Sequence, residues 1–176
     1  TFACLLHKHL EGEYWTDVEK GINKALSTYS DFNTTVKTTY YDPYDYHSFV
    51  DASNDIVAQH PDGVMVAPTI LKYTQIFIEQ LTELDIPYIY IDSNIKEIPP
   101  LAFFGQNSRQ SGYFAARMLM LLARDEKEIV IFRKIHEGIV GSNQQENREK
   151  GFRQYMKEYH PSCNARYFLP TTSYCA

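Results

Sequence analysis

Two adjacent aromatic residues, Tyr14 and Trp15, and one carboxylate, Asp92, are the groups in this sequence whose types best suit recognition chemistry. Aromatic faces cover the C–H side of a pyranose ring, while planar polar groups take its hydroxyls. The same loops carry Lys8, His9, Glu11, Glu13, Thr69, Ser93, Asn94, Arg133, Asn143 and Gln144. Carboxylates, amides and an aromatic pair together suit a neutral, hydroxyl-rich ligand such as a sugar. Each also has a plainer reading. Tyr14 and Trp15 could pack at the start of a helix, Asp92 could serve a turn or a cap, and Arg148 could make a surface ion pair worth about 0–1 kcal/mol.

Catalytic signatures are missing. The sequence has no GxSxG elbow, no GxxxxGK[ST] phosphate loop, no HExxH and no GxGxxG. His7 and His9 fall on one face of a strand and could share a metal with Glu11 or Glu13, but a third well-spaced ligand is lacking, so neither a metal nor another cofactor is expected. His47, His60, His136 and His160 are scattered in polar surroundings.

The elements that must position these groups follow from periodicity. Phe2–His7 is an apolar run suited to a buried strand, and Trp15, Val18, Ile22, Ala25, Leu26 and Tyr29 then mark an amphipathic helix. Asn33–Tyr41 alternates as a strand. Phe49, Ser53, Ile56 and Val57 make a second helical stripe, and Asp62–Gly63 is turn chemistry before a strand at Val64–Ala67. Tyr73, Ile76, Phe77, Leu81 and Leu84 predict a third helix, Tyr88–Ile91 a fourth strand and Leu101–Gly105 a short fifth. A fourth helix should bury Ala115, Met118, Leu119 and Leu122. Glu128–Phe132 is a sixth strand, Phe152, Tyr155, Met156 and Tyr159 a fifth helix, and Arg166–Leu169 a seventh strand.

Strands separated by helices predict βαβ units, hence an α/β, doubly wound parallel sheet. Five strands suffice for one layer; the last two either join it or begin a second domain. In such a sheet ligands bind outside the carboxyl ends of the strands, which is where the polar loops fall. The 176 residues carry a formal charge of −5, which argues against this segment gripping a phosphate backbone itself. There is no transmembrane stretch, and no basic-then-apolar leader is visible at Thr1–Phe2–Ala3. Cys4 lies in an apolar run, as a buried reduced thiol would; Cys163 and Cys175 could pair in an oxidising compartment, but the odd count fits a reducing cytoplasm slightly better.

The order of GEYWTDVEKGINKAL, PDGVMVAP, IPYIYID, FFGQNSRQSGYFAARML and SNQQENREKGFRQYM resembles type I periplasmic-binding-protein folds, a superfamily that includes sugar receptors and the effector domains of LacI-family transcription regulators. The resemblance implies two lobes, 1–106 and an incomplete 107–176. It also implies that Tyr14 and Trp15 sandwich a sugar ring, that Asp92 accepts its hydroxyls, and that Arg148 reaches the ligand from the second lobe. Ser93 stands where several members have an arginine, Asn107 where an aspartate is usual and Gly12 where many have an asparagine. On this likeness the expected function is a cytoplasmic, homodimeric regulator's effector domain, not an enzyme and not attached to a membrane. It would bind a sugar between its lobes and control operator DNA through a helix-turn-helix domain not in this sequence. A periplasmic sugar receptor of a transporter or chemosensory system is the alternative.

Overall fold

A computed structural model describes residues 1–8, 13–123, 126–132 and 143–168. His9, Glu11, Gly12, Arg133, His136 and Cys175 lie outside the described residues, and nothing is described of the Glu13 and Asn143 side chains. The chain runs β1 (Phe2–His7), α1 (Glu13–Thr28), a 3-10 turn (Ser30–Phe32), β2 (Val36–Tyr41), α2 (Tyr46–Val57), β3 (Gly63–Val66) and α3 (Leu71–Glu83). It continues through β4 (Tyr88–Ile91), β5 (Phe103–Phe104), α4 (Ser108–Leu122), β6 (Glu128–Phe132), α5 (Asn143–Tyr159) and β7 (Asn164–Phe168). It divides into two compact units, Thr1–Gly105 and Gln106–Ala176.

The first unit is a five-stranded sheet in the order β2-β1-β3-β4-β5, parallel throughout. Alternation along each strand sends residues to opposite faces. Ala3, Leu5, Val64, Val66 and Tyr90 pack with Phe49, Ile56, Phe77 and Leu81 of α2 and α3. Cys4, Leu6 and Ala67 face the other way, against Trp15, Val18 and Ile22 of α1. Helices on both faces make the sheet doubly wound. Each large side chain so buried contributes about 1.5–3 kcal/mol. Local chemistry sets the helix ends: Asp45 caps α2 by accepting from the His47 N–H at 2.9 Å. No helix among the described residues is long and apolar enough to cross a membrane.

The second unit holds β6 and β7 as a separate parallel pair, so the last two strands do not join the first sheet. Its core gathers Ala116, Met120, Ile129 and Met156, flanked by Phe152, Tyr155 and Cys163.

Among the sequence expectations that change, three bear on the site and its packing. β2 begins at Val36 and not Asn33, because Asn33 adopts φ 49° and ends the 3-10 turn. β5 shrinks to two residues. The buried stripe of α4 is Ser108, Gly112, Ala116 and Met120; Met118, Leu119 and Leu122 are exposed, Leu122 by 88%. Small residues win that face because α5 approaches to backbone contact. A Cβ on Gly112 would lie 1.8 Å from the Arg148 carbonyl oxygen, and one on Gly151 would lie 1.8 Å from that of Arg109.

Candidate functional site

Parallel pairing brings the carboxyl ends of β1 to β4 to one edge of the first unit. His7 ends β1, Tyr41 ends β2, Ala67–Thr69 follow β3, Asp92–Asn94 follow β4, and Tyr14 and Trp15 open α1. The rings interlock. Trp15 lies 4.8 Å from His7 and 5.0 Å from Tyr14 between ring centres, and His7 lies 5.0 Å from Tyr41, edge to face. Tyr14 is 53% exposed, leaving aromatic surface for a ligand.

Asp92 is held in an unusual way. Its φ is 63°, and the Ser93 N–H donates to the Ile91 carbonyl at 2.7 Å, closing a tight three-residue turn around it. A γ-turn with positive φ is strained, and such strain gathers at binding sites. Gly105 makes room for this turn: a Cβ there would stand 2.9 Å from the Asp92 carbonyl oxygen. The Ser93 hydroxyl donates to Asp92 Oδ2 at 3.1 Å, and the Tyr14 hydroxyl also bonds this carboxylate. Burial, then the Asp92 charge, push the Tyr14 phenol up to about 12. Asn94 next along has a buried Oδ1 without a hydrogen-bond partner. An orphaned acceptor of this kind costs about 1–3 kcal/mol unless something donates to it.

Beneath the rings runs a hydrogen-bonded chain. Tyr41, fully buried, donates its hydroxyl to the Ala67 carbonyl at 2.5 Å and lies 2.6 Å from Thr69 Oγ1, which in turn meets His7 Nε2. Burial lowers the His7 pKa, opposed by the Asp92 carboxylate and a hydrogen bond to the Ala67 carbonyl, while burial raises that of Tyr41.

The structure thus brings Tyr14, Trp15, Asp92 and Ser93 together. Arg148 and Asn107 belong to the second unit. Arg148 is exposed, and its guanidinium donates to Gln106 Oε1 at 3.0 Å and Gln144 Oε1 at 3.3 Å. Asn107 caps α4, its side-chain oxygen accepting from the Gln110 N–H at 3.0 Å. Sequence reasoning weighed His7 only as a metal ligand and gave Tyr41 no role, because alternation assigns both to strands. The signal that could have found them is their position as the last residues of parallel strands. Among the described residues no group of three His, Cys, Asp or Glu side chains is placed to hold a metal.

Comparison with curated proteins finds no match. Among solved structures, a candidate LacI transcriptional regulator from Bacteroides fragilis superposes with a TM-score of 0.87 at 68% identity, over 96% of this chain and 58% of that one. A sugar ABC transporter sugar-binding protein from Bacillus halodurans gives 0.76 at 19% identity, over 96% and 55%. A glucose-galactose binding protein from Geobacillus stearothermophilus gives 0.74 at 18%, over 96% and 57%. The chain therefore spans a little over half the length of these relatives, and the more distant two speak for the fold alone. The periplasmic binding protein domain model matches residues 2–167, so the chain belongs to that family.

Proposed function

We propose that this chain is the sugar-sensing part of a LacI-family transcription regulator. The observation that carries the reading is the Asp92 carboxylate, held by a left-handed backbone beside the Tyr14–Trp15 pair. A sugar lays its C–H face on these rings and gives hydroxyl protons to Asp92. Ser93 Oγ supports the carboxylate by donating to it, and the buried, unpaired Asn94 Oδ1 follows in sequence. Arg148 and Asn107 join the ligand on the strength of the resemblance alone. Losing the Arg148 guanidinium would cost on the order of 1.5–3 kcal/mol of binding. Asn107, whose oxygen is engaged as a helix cap, would contribute through its amide nitrogen.

Identity of 68% with the Bacteroides fragilis protein supports the regulator over a receptor. In this reading the protein is a cytoplasmic homodimer whose operator is bound by a domain outside this chain. The sugar moves the equilibrium only by its difference in affinity for the DNA-competent and incompetent states. Similarity in fold to sugar-binding transport proteins supports a second reading, a periplasmic sugar receptor.

Calorimetry of the full-length protein with a panel of pyranoses (D-glucose, D-galactose, D-arabinose, D-allose, D-tagatose) tests the site. Binding by wild type and its loss in Asp92→Ala and Trp15→Ala are expected; no binding, or variants that bind as wild type, refutes it. A gel-shift assay with the DNA upstream of its own gene separates the two readings. A sugar-dependent shift is the regulator's result, and absence of any shift is the receptor's.

A further inference from the structure

We propose that His7 is a ligand-contacting, specificity-determining residue, held as the Nε2–H tautomer so that Nδ1 accepts a hydrogen bond from a sugar hydroxyl. The inference rests on the sugar reading above and adds to it a residue and a tautomer.

Proton counting along the buried chain fixes the tautomer. A carbonyl oxygen can only accept, so Tyr41 gives its one hydroxyl proton to Ala67, at 2.5 Å. The 2.6 Å contact between the Tyr41 and Thr69 hydroxyls then runs from Thr69 to Tyr41. Thr69 has no second proton to give, so at its contact with His7 the donor is Nε2–H, and the Ala67 carbonyl that His7 also bonds can draw only on that same N–H. The neutral ring carries one N–H, and Nδ1 is therefore left with its lone pair. Among the described residues nothing donates to it.

The ring is also confined. Trp15 of α1 and Tyr41 of β2 pack against it at 4.8 Å and 5.0 Å, which restricts the ring at the end of β1. The titratable groups facing His7 among the described residues are Asp92 after β4 and Tyr41 at the end of β2. Tyr14 of α1 reaches it only through Asp92. Burial outweighs the Asp92 carboxylate and keeps the ring neutral near neutral pH. Together with the Asp92 carboxylate, whose charge reaches His7, an accepting Nδ1 makes this part of the site one of acceptors. Such a face selects a ligand that presents several donors, as a polyol does, and discriminates against one that offers an ether or a deoxy position opposite His7.

Protonation would turn Nδ1 from acceptor to donor. Binding then requires the proton to leave, and affinity should fall by up to about tenfold per pH unit once the pH drops below the His7 pKa. The test uses the full-length protein and whichever of the five pyranoses above binds most tightly, titrated from about pH 8 to about pH 5. Nitrogen-15 spectra of the histidine rings, with the His7 signal assigned by its loss in His7→Gln, read the tautomer without any ligand. Expected are an Nε2–H ring, wild-type affinity that falls towards acid, and about tenfold weaker binding by His7→Gln at neutral pH. His7→Gln keeps a donor for Thr69 but has no acceptor at the Nδ1 position. His7→Asn, whose amide oxygen can stand near that position, should recover part of the lost affinity and show no acid decline. An Nδ1–H ring, a flat wild-type profile or wild-type affinity in His7→Gln overturns the proposal while leaving the sugar reading in place. If no pyranose binds wild type at any pH, both fall together.

Discussion

Replacing Gly112 by alanine should destabilise the second unit, although an alanine in a helix is ordinarily an improvement. The added Cβ would sit 1.8 Å from the Arg148 carbonyl oxygen, 2.5 Å from its carbonyl carbon and 2.7 Å from its Cα. All three are backbone atoms of a helix, so no rotamer change relieves the clash. α4 and α5 must part by about 1 Å or more, and a gap of that size forfeits a quarter to a half of each dispersion contact across the crossing. Overpacking of this kind costs about 1–3 kcal/mol and occasionally more. The helix propensity gained is about 1 kcal/mol. The net expectation is a loss of up to about 2 kcal/mol. Gly21 of α1 is the control, because a Cβ there meets nothing within 4 Å. Gly21→Ala should therefore stabilise by about 0.5–1 kcal/mol. Gly151→Ala, whose Cβ would lie 1.8 Å from the Arg109 carbonyl oxygen, should resemble Gly112→Ala. The double variant should cost less than the sum of the two, since helices already parted by one methyl accommodate the other. Urea unfolding followed by circular dichroism measures all four. A Gly112→Ala protein as stable as Gly21→Ala would refute the backbone-contact argument.

Three further outcomes are expected. Tyr41→Phe removes the donor to the buried Ala67 carbonyl and the partner of Thr69, and should cost about 1–3 kcal/mol in urea unfolding; an unchanged midpoint would mean the hydroxyl is dispensable. The Cys4 thiol is fully buried, and burial pushes its pKa up to about 12, so a thiol reagent at mildly alkaline pH should leave it unmodified until the protein unfolds; labelling of Cys4 in the native state counts against this burial. His7 titrates near its ordinary value of 6.5 when unfolded and below it when folded, so the unfolded chain takes up its proton first. Stability should decline as the pH falls from that value to the lower folded one, then level off, and this component should vanish in His7→Gln; a decline of equal size in the variant would assign it to other groups.

The β/α alternation was legible because strands covered on both faces read as short apolar runs, such as the VMV of β3 and the YIY of β4. The face of α4 was not. The segment YFAARMLMLL carries apolar residues around most of its circumference, and a periodicity argument follows the largest of them. The observed contact depends instead on the absence of a side chain at Gly112, to which hydrophobic patterning is blind. The site divides in the same way. Tyr14, Trp15 and Asp92 stand in loops or at element ends, where polar and aromatic types invite a functional reading. His7 and Tyr41 complete strands, and alternation alone cannot tell a strand's last inward side chain from a core residue. That Thr69 links them across β1, β2 and β3 is a tertiary fact, since the contact from His7 to Thr69 spans 62 residues of sequence.

The backbone adds an argument that composition could not supply. Four described non-glycine residues have positive φ: Asn33, His60, Asp85 and Asp92. Three are accounted for by helix termination. Asn33 closes the 3-10 turn, and His60 follows the end of α2. Asp85 sits at the turn after α3, where its N–H bonds the Thr82 carbonyl and the Ile86 N–H bonds that of Leu81, the pattern that finishes a helix through one left-handed residue. Asp92 follows a strand, so no helix needs ending there. Aspartate tolerates this conformation better than most side chains, yet glycine would adopt it without strain. The side chain at this position must therefore be worth more than the strain it imposes. Within the unit, its known work is to accept from Tyr14 and Ser93, two groups of which Ser93 is its own neighbour. Two hydrogen bonds at a half-open edge offset little more than the strain itself. On the proposed reading, an external donor at the same carboxylate would supply the remainder, which makes Asp92 the residue through which the sugar reading is most directly tied to the shape of the chain.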